Sequence, residues 1–178
     1  MREVETKILE IDVDNVRRKL KKLGAKKVFD GPIHMISFDY PDEKLEKQGV
    51  FLRVRKVGDQ CEVCFKGKKE RKGGIKSREE TQVLTSDYDT TVKIFEKLGF
   101  QRFFEGGKHR ESYKLGRISF EIDTYAEFPA YLEIEAPSEK EVKEWVKKMG
   151  FSMEEACNLT AHQLGLFYRK KGKVIGKI

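Results

Sequence analysis

Charged side chains recur at every second position of several short segments whose intervening residues are mostly apolar, and few folds accommodate that pattern. In Arg2-Glu3-Val4-Glu5-Thr6-Lys7-Ile8-Leu9 an extended backbone places Glu3, Glu5 and Lys7 on one face and Val4, Thr6 and Ile8 on the other. The same device returns in Phe51-Leu52-Arg53-Val54-Arg55, Arg78-Glu79-Glu80-Thr81-Gln82, Glu121-Ile122-Asp123 and Tyr131-Leu132-Glu133-Ile134-Glu135. An ordinary core strand does not alternate carboxylates and guanidiniums with apolar residues. The pattern fits a sheet whose concave side is a charged cavity and whose convex, apolar side packs on helices.

After the first strand, Asp12 or Asp14 can cap an amphipathic helix that reaches Leu23 and stops at Gly24. A strand is expected over 28–40, closed by Pro41-Asp42, and a polar segment over 43–48 leads to Gly49 and a strand over 50–57. Gly58-Asp59-Gln60 turns the chain into a strand over 61–66, and a loop follows from Gly67 to Gly74. Shifting the chain by 75 residues then lays Glu5-Thr6 on Glu80-Thr81, Leu9 on Leu84, Asp12 on Asp87, Lys22-Leu23-Gly24 on Lys97-Leu98-Gly99, His34 on His109 and Ser37 on Ser112 without a gap. That register predicts a structural repeat, with halves at about 1–75 and 76–150. Strands over 108–115 and 118–124 flank the tight Leu115-Gly116-Arg117 turn, and 131–136 closes the set. Ser138, with Glu141 three residues on, opens a helix whose apolar stripe is Val142, Trp145, Val146 and Met149. A last helical stretch over 159–169 carries Leu164, Leu166 and Phe167. The expectation is a single α+β domain over 1–178: an eight-stranded antiparallel, tunnel-like β-barrel with helices packed outside and room within for side chains and one small ligand.

The inward positions sort into two groups. Lys7, Arg53, Arg55, Lys66, Arg78, Lys108 and Arg110 are basic; Glu3, Glu5, Glu80, Glu121, Asp123, Glu133 and Glu135 are acidic. Guanidinium forks and ammonium groups in such number suit a polyanion. Carboxylates without His or Cys select a hard cation, Mg²⁺ or Mn²⁺, which also bridges phosphate oxygens. Together they read as a metal–triphosphate site, against the plainer alternative of salt-bridge ladders on an ordinary antiparallel sheet. A formal charge of +7, from 37 basic and 30 acidic residues, suits an anionic ligand. The runs Lys66 to Lys72 and Arg169 to Lys173, in a loop and near the C-terminus, are less informative than the strand arginines. Nucleic acid is not the expected polyanion, because single-strand binders interleave aromatics with their basics where this lining has acids.

Cys61, Cys64 and Cys157 form no disulfide framework, and Cys61 and Cys64 would face opposite sides of one strand with no second ligand pair, so zinc is not expected. His34 and His109 are expected to be structural or surface residues. A charged fraction of 38% with few Asn and Gln is the composition of thermostable chains. No apolar leader and no membrane-length run are visible, so the expected compartment is the cytoplasm, without a membrane partner; a homodimer is compatible with the sequence.

In this order the charged pairs resemble the CYTH family of adenylyl cyclases and thiamine triphosphatases, also called triphosphate tunnel enzymes. The resemblance is carried by the ExExK pattern Glu3-Val4-Glu5-Thr6-Lys7, by Arg53 with Arg55, Phe65-Lys66, Arg78 with Glu80, Lys108 with Arg110, Glu121 with Asp123, and Glu133 with Glu135. It covers nearly the whole chain and looks most like the class IV adenylyl cyclase branch. It implies that Glu3, Glu5, Asp123, Glu133 and Glu135 hold the divalent metal. Lys7, Arg53, Arg55, Lys66, Arg78, Lys108 and Arg110 would hold the phosphates, with Lys66 also the candidate catalytic lysine. The implied substrate is a small-molecule triphosphate, ATP or polyphosphate, either cyclised to cyclic AMP and pyrophosphate or hydrolysed with release of orthophosphate. A nucleotide- or polyphosphate-binding module without turnover is the reading from another class. Family enzymes often have a second-strand tyrosine that cooperates with a lysine; here Ser37 or Phe38 falls near that place, and the base is unassigned.

Overall fold

The computed structural model describes residues 2–172; Lys173 of the basic C-terminal run lies outside them. The first part of the chain forms β1 (Arg2–Ile8), α1 (Val13–Lys22), β2 (Lys26–Asp39), α2 (Lys44–Gln48), β3 (Phe51–Val57), β4 (Gln60–Lys66), β5 (Glu70–Lys72) and β6 (Ile75–Thr85). It continues as α3 (Tyr88–Lys97), β7 (Gln101–Leu115), β8 (Ile118–Thr124), β9 (Tyr131–Ala136), α4 (Glu139–Lys148), β10 (Ala156–Cys157) and α5 (Ala161–Lys170). Several expectations change: β7 begins at Gln101 and not at 108, β6 begins at Ile75, and the two-residue β10 is additional. The polar 43–48 segment contains a short helix, and the Gly67–Gly74 loop contains β5, whose three residues are all exposed and so leave no burial pattern to read.

The sequence repeat has a structural counterpart: α1 and α3 begin and end 75 residues apart, and so do the starts of β2 and β7. Each helix is capped alike. The Asp12 carboxylate accepts the Asn15 N–H at 3.0 Å, and Asp87 accepts the Thr90 N–H at 2.9 Å, satisfying first-turn donors that have no intrahelical acceptor. Each ends at a glycine in the left-handed region, Gly24 at φ 80° and Gly99 at φ 92°, where a Cβ would be strained.

Hydrogen-bonded strands follow the order β10-β1-β9-β8-β7-β2-β3-β4-β6-β5, and β1 also pairs with β6. Eight strands therefore have a neighbour on both sides, which is the topology of an antiparallel barrel and leaves few open edges. The chain divides into two compact units, each drawing segments from both repeats. One holds the chain up to Glu3, Gly31–Glu70 and Arg78–Lys108; the other holds Val4–Asp30, Arg71–Ser77 and the chain from His109 on.

In the first unit Ile36 and Phe38 of β2, Leu52 and Val54 of β3, Cys61 and the α3 residue Val92 form the core, with Phe95 stacked on Phe38. In the second, Val4 and Ile8 pack with Val16 and Leu20 of α1, Phe120 and Ile122 of β8, Leu132 and Ile134 of β9, and Val142, Val146 and Met149 of α4. Trp145 meets Phe120 edge-on at 5.4 Å, so the α4 stripe lies where its spacing puts it. A separate cluster seats α5 through Leu164 and Tyr168, leaving Leu166 exposed. No described helix is long and apolar enough to cross a membrane.

Candidate active site

Register decides which charged residues meet. In the second unit β1 lies on β9 with Lys7 opposite Glu133 and Glu5 opposite Glu135. On the next strands Glu121 faces Glu133 and Ser112 faces Glu121, while Arg110 faces Asp123. Lys7 Nζ bridges Glu5 at 2.9 Å and Glu133 at 2.6 Å, and Lys76 adds a second ion pair to Glu5. Arg110 grips Asp123 with both arms of its fork, Nε to Oδ1 and Nη2 to Oδ2, each at 2.6 Å, and reaches Glu133 at 3.4 Å. Asp123 is fully buried, so this bidentate pairing replaces its hydration. Glu5, Glu121, Asp123 and Glu133 thus outnumber Lys7, Lys76 and Arg110.

The surplus is visible in the titration of the acids. Burial, helped by the nearby Glu133 and Asp123 charges, raises the Glu121 carboxyl above its ordinary range, although Arg110 and the Ser112 hydroxyl oppose it. Burial and Glu5 also push Glu133 upward, but Lys7 and Arg110 outweigh them and hold it low. Burial pulls Lys7 down, and its two carboxylate neighbours raise it further than that.

The first unit has the opposite balance. Lys66 Nζ lies 3.0 Å from both Glu3 oxygens and 3.0 Å from Glu80, and Arg78 Nε donates to Glu3 at 3.2 Å. Arg53 and Arg55 each donate an Nη2 hydrogen to Glu62 at 2.9 Å. Arg53, Arg55, Lys66 and Arg78 therefore outnumber Glu3, Glu62 and Glu80. Burial pushes Glu62 and Glu80 upward, but Arg55 and Arg53 lower the first, and Lys66 with the Cys64 thiol brings the second to about 2. The Cys64 Sγ–H donates to Glu80 at 3.0 Å, and burial plus that bond push the thiol up to about 12.

Of the sequence candidates, Glu3, Arg53, Arg55, Lys66 and Arg78 fall in the base-surplus group, and Glu5, Lys7, Arg110, Asp123 and Glu133 in the acid-surplus group. Glu135 is half-buried opposite Glu5, and Lys108 is half-buried on β7. Two partners had not been singled out. Lys76 shares strand parity with Arg78 and Glu80 but precedes the expected start of its strand; Glu62 shares parity with Cys64 and Lys66. Among the described residues, Glu62, Cys64 and Glu80 have ligand atoms within 4.8 Å of one another, but their arginine and lysine partners make that spot hostile to a cation. His34 and His109 are half-exposed and pair with Glu105 and Asp30. A cavity of about 300 Å³ lined by residues such as Cys61, Asp87 and Tyr88 lies on the opposite face of β4 from Cys64, and includes no residue of either charged group.

The second strand resolves the place left between Ser37 and Phe38. Phe38 is in the apolar core, and Tyr40, of the same parity, packs in a tilted arrangement on Phe100, with ring centroids 4.5 Å apart. Ser37 lies opposite Arg53 on the charged face.

The CYTH domain profile matches residues 1–159, so this chain belongs to the CYTH domain family, the triphosphate tunnel domains of the resemblance above. A Methanocaldococcus jannaschii protein, provisionally named an adenylate cyclase, is 35% identical over 135 residues, covering 76% of this chain and 77% of that one. A solved structure of a provisionally named adenylate cyclase from Vibrio parahaemolyticus has TM-score 0.82 at 15% identity, covering 91% of this chain and 96% of that one. It shows the eight-stranded antiparallel barrel fold. A Hippeastrum protein, provisionally named an adenylyl cyclase and described as having a dominant triphosphatase activity, has TM-score 0.65 at 15% identity, with 96% of each chain covered.

Proposed function

We propose that this chain is a divalent-metal-dependent phosphoryl enzyme acting on a triphosphate, adenylyl cyclase-like, converting ATP to cyclic AMP and pyrophosphate. The observation that carries this reading is the opposite charge surplus of the two buried groups. A surplus of guanidinium and ammonium suits phosphate oxygens, and a surplus of carboxylate suits a cation. Within each group the opposite charges pair with one another and leave the surplus over, because buried charges are costly without partners. Carboxylates occupy the forks that phosphate would take, and ammonium groups occupy the carboxylates that a metal would take.

Of the proposed donors, Glu5, Asp123 and Glu133 belong to the acid-surplus group and Glu135 lies opposite Glu5, whereas Glu3 stands against Lys66 and Arg78 and would have to exchange them for the ion; all five offer oxygen alone, which fits Mg²⁺ or Mn²⁺ and not a soft ion. When bound, that ion would supply positive charge that offsets the charge of the phosphates. Lys7, Arg53, Arg55, Lys66, Arg78, Lys108 and Arg110 would hold the chain of phosphates in line, so the protein contributes mainly positioning and charge. In cyclisation the ribose 3′-hydroxyl gives up its proton as its oxygen bonds to the α-phosphorus, the bond from that phosphorus to the β-phosphate breaks, and pyrophosphate leaves with the electron pair and takes up the proton. Lys66, between Glu3 and Glu80, is the candidate catalytic lysine.

The second reading is hydrolysis with release of orthophosphate, in keeping with the dominant triphosphatase activity described for the structurally similar Hippeastrum protein. A nucleotide- or polyphosphate-binding module without turnover is the third. Phosphorus NMR separates them, using ATP and tripolyphosphate with Mg²⁺ and with Mn²⁺ at elevated temperature. Pyrophosphate with cyclic AMP is the expected outcome; orthophosphate would establish the hydrolase, and binding without product would reject both enzymes.

A further inference from the structure

Ser37 and Ser112 stand 75 residues apart at corresponding places of the repeat, each on the charged face of a long strand, yet their hydroxyls meet opposite chemistry. Ser112 lies across from Glu121 and donates its Oγ–H to that carboxylate. Ser37 lies across from Arg53, whose side chain offers N–H groups and no acceptor. Ser37 is 1 % exposed, and its Oγ has no hydrogen-bond partner among the described residues. The Arg53 Nε–H, on the residue opposite, is also buried without one, while Nη2 of the same fork donates to Glu62.

Directly opposed residues on adjacent antiparallel strands have Cβ atoms roughly 4.5–5.5 Å apart, near enough for both donors to reach one acceptor. The next residue in the row, Cys64, cannot supply it, since it directs its own S–H to Glu80. Buried polar groups are almost always paired, and two such groups on facing residues, both without a partner, are what remains when the partner belongs to a ligand.

We propose that Ser37 Oγ and Arg53 Nε form a subsite for one phosphoryl oxygen of the triphosphate, with Ser37 acting as a hydrogen-bond donor and not as a base. This rests on reading the base-surplus group as the phosphate side of the site. An anionic oxygen accepts from both groups without proton transfer, and a phosphoryl group has oxygens to spare for the remaining basics.

Calorimetric titration and thermal melts with inorganic tripolyphosphate, on wild type, Ser37→Ala and Ser112→Ala, test the subsite. Ser37→Ala is expected to melt no lower than wild type without ligand, because the hydroxyl makes no bond in the free protein. It should bind tripolyphosphate about tenfold more weakly, the lower end of what a hydrogen bond to a charged group supplies. Ser112→Ala should melt lower, since it removes a bond to Glu121, and should keep its affinity within about twofold. Wild-type affinity in Ser37→Ala would overturn the subsite while leaving the phosphate reading intact, and so would a Ser37→Ala protein that does not fold, since the hydroxyl would then serve the protein itself. A wild-type protein that does not bind tripolyphosphate would overturn the phosphate reading and the subsite with it.

Discussion

The two buried charge groups are built alike and balanced differently. Each lines one face of antiparallel strands at alternate positions, opposite an apolar core. In the group around Arg110 a single guanidinium serves Asp123, Glu133 and Glu121, so three acids lean on one base. In the group around Glu62 a single carboxylate serves Arg53 and Arg55, so two bases lean on one acid. The difference teaches that alternation sets the face a charge occupies, while the register of neighbouring strands sets the sign of the surplus, and the surplus selects the class of ligand.

The largest effect expected from this contrast is on turnover. Glu3→Gln with Glu5→Gln should lower Mg²⁺- or Mn²⁺-dependent turnover on the order of a hundredfold or more while circular dichroism shows an unchanged fold. A folded double variant with unchanged metal-dependent rate would sink the assignment of the acids. Next in size is the stability cost of stripping each hub. Arg110→Ala removes the bidentate partner of the fully buried Asp123, a loss for which about 3–5 kcal/mol is typical, whereas Arg53→Ala leaves Glu62 with Arg55 and should cost about 1–2 kcal/mol. Equal shifts of the urea midpoint for the two variants would break the comparison.

A third expectation sharpens it from the ligand side. Tripolyphosphate should raise the melting temperature of the wild type by mass action, and Arg53→Ala with Arg55→Ala should abolish that rise measured against its own baseline. A full response in the double variant would move binding to the exposed lysines. The smallest effect concerns a carboxylate outside both groups. Burial raises Glu111, but donors on Arg17, Lys27 and Tyr113 outweigh it and lower the carboxyl to about 2. With an unfolded value of roughly 4.3, its stabilisation is full above that pH and is lost as pH falls toward about 2. Melting temperature should decline through that window, and Glu111→Gln should flatten the decline; an unchanged profile in the variant would show that the carboxylate is not responsible.

The strand faces were legible in the sequence because side-chain direction has a period of two, and the helix ends because Asp12, Asp87 and Ser138 satisfy amide groups within their own first turn. The repeat was legible because its spacing carries no gap. Pairing partners were not, because strand parity says nothing of which neighbour lies opposite. Glu62 and Lys76 became visible only through cross-strand register and the earlier start of β6 at Ile75. Glu111 was hidden for another reason. It lies on the helix-packed face, where a carboxylate is expected only if long basic side chains from α1 and β2 reach over it, and reach is not written in local spacing.

The thiol of Cys64 has a use unrelated to reactivity. Its S–H stretch absorbs in an infrared region that is otherwise empty except for the thiols of Cys61 and Cys157, and its frequency follows the strength of the hydrogen bond it donates. Because its acceptor Glu80 is also the partner of Lys66, any anion that draws Lys66 away changes the charge felt by that bond. With Cys61 and Cys157 replaced by serine or alanine, the chain carries a vibrational reporter on the base-surplus side that is readable during turnover without an attached dye.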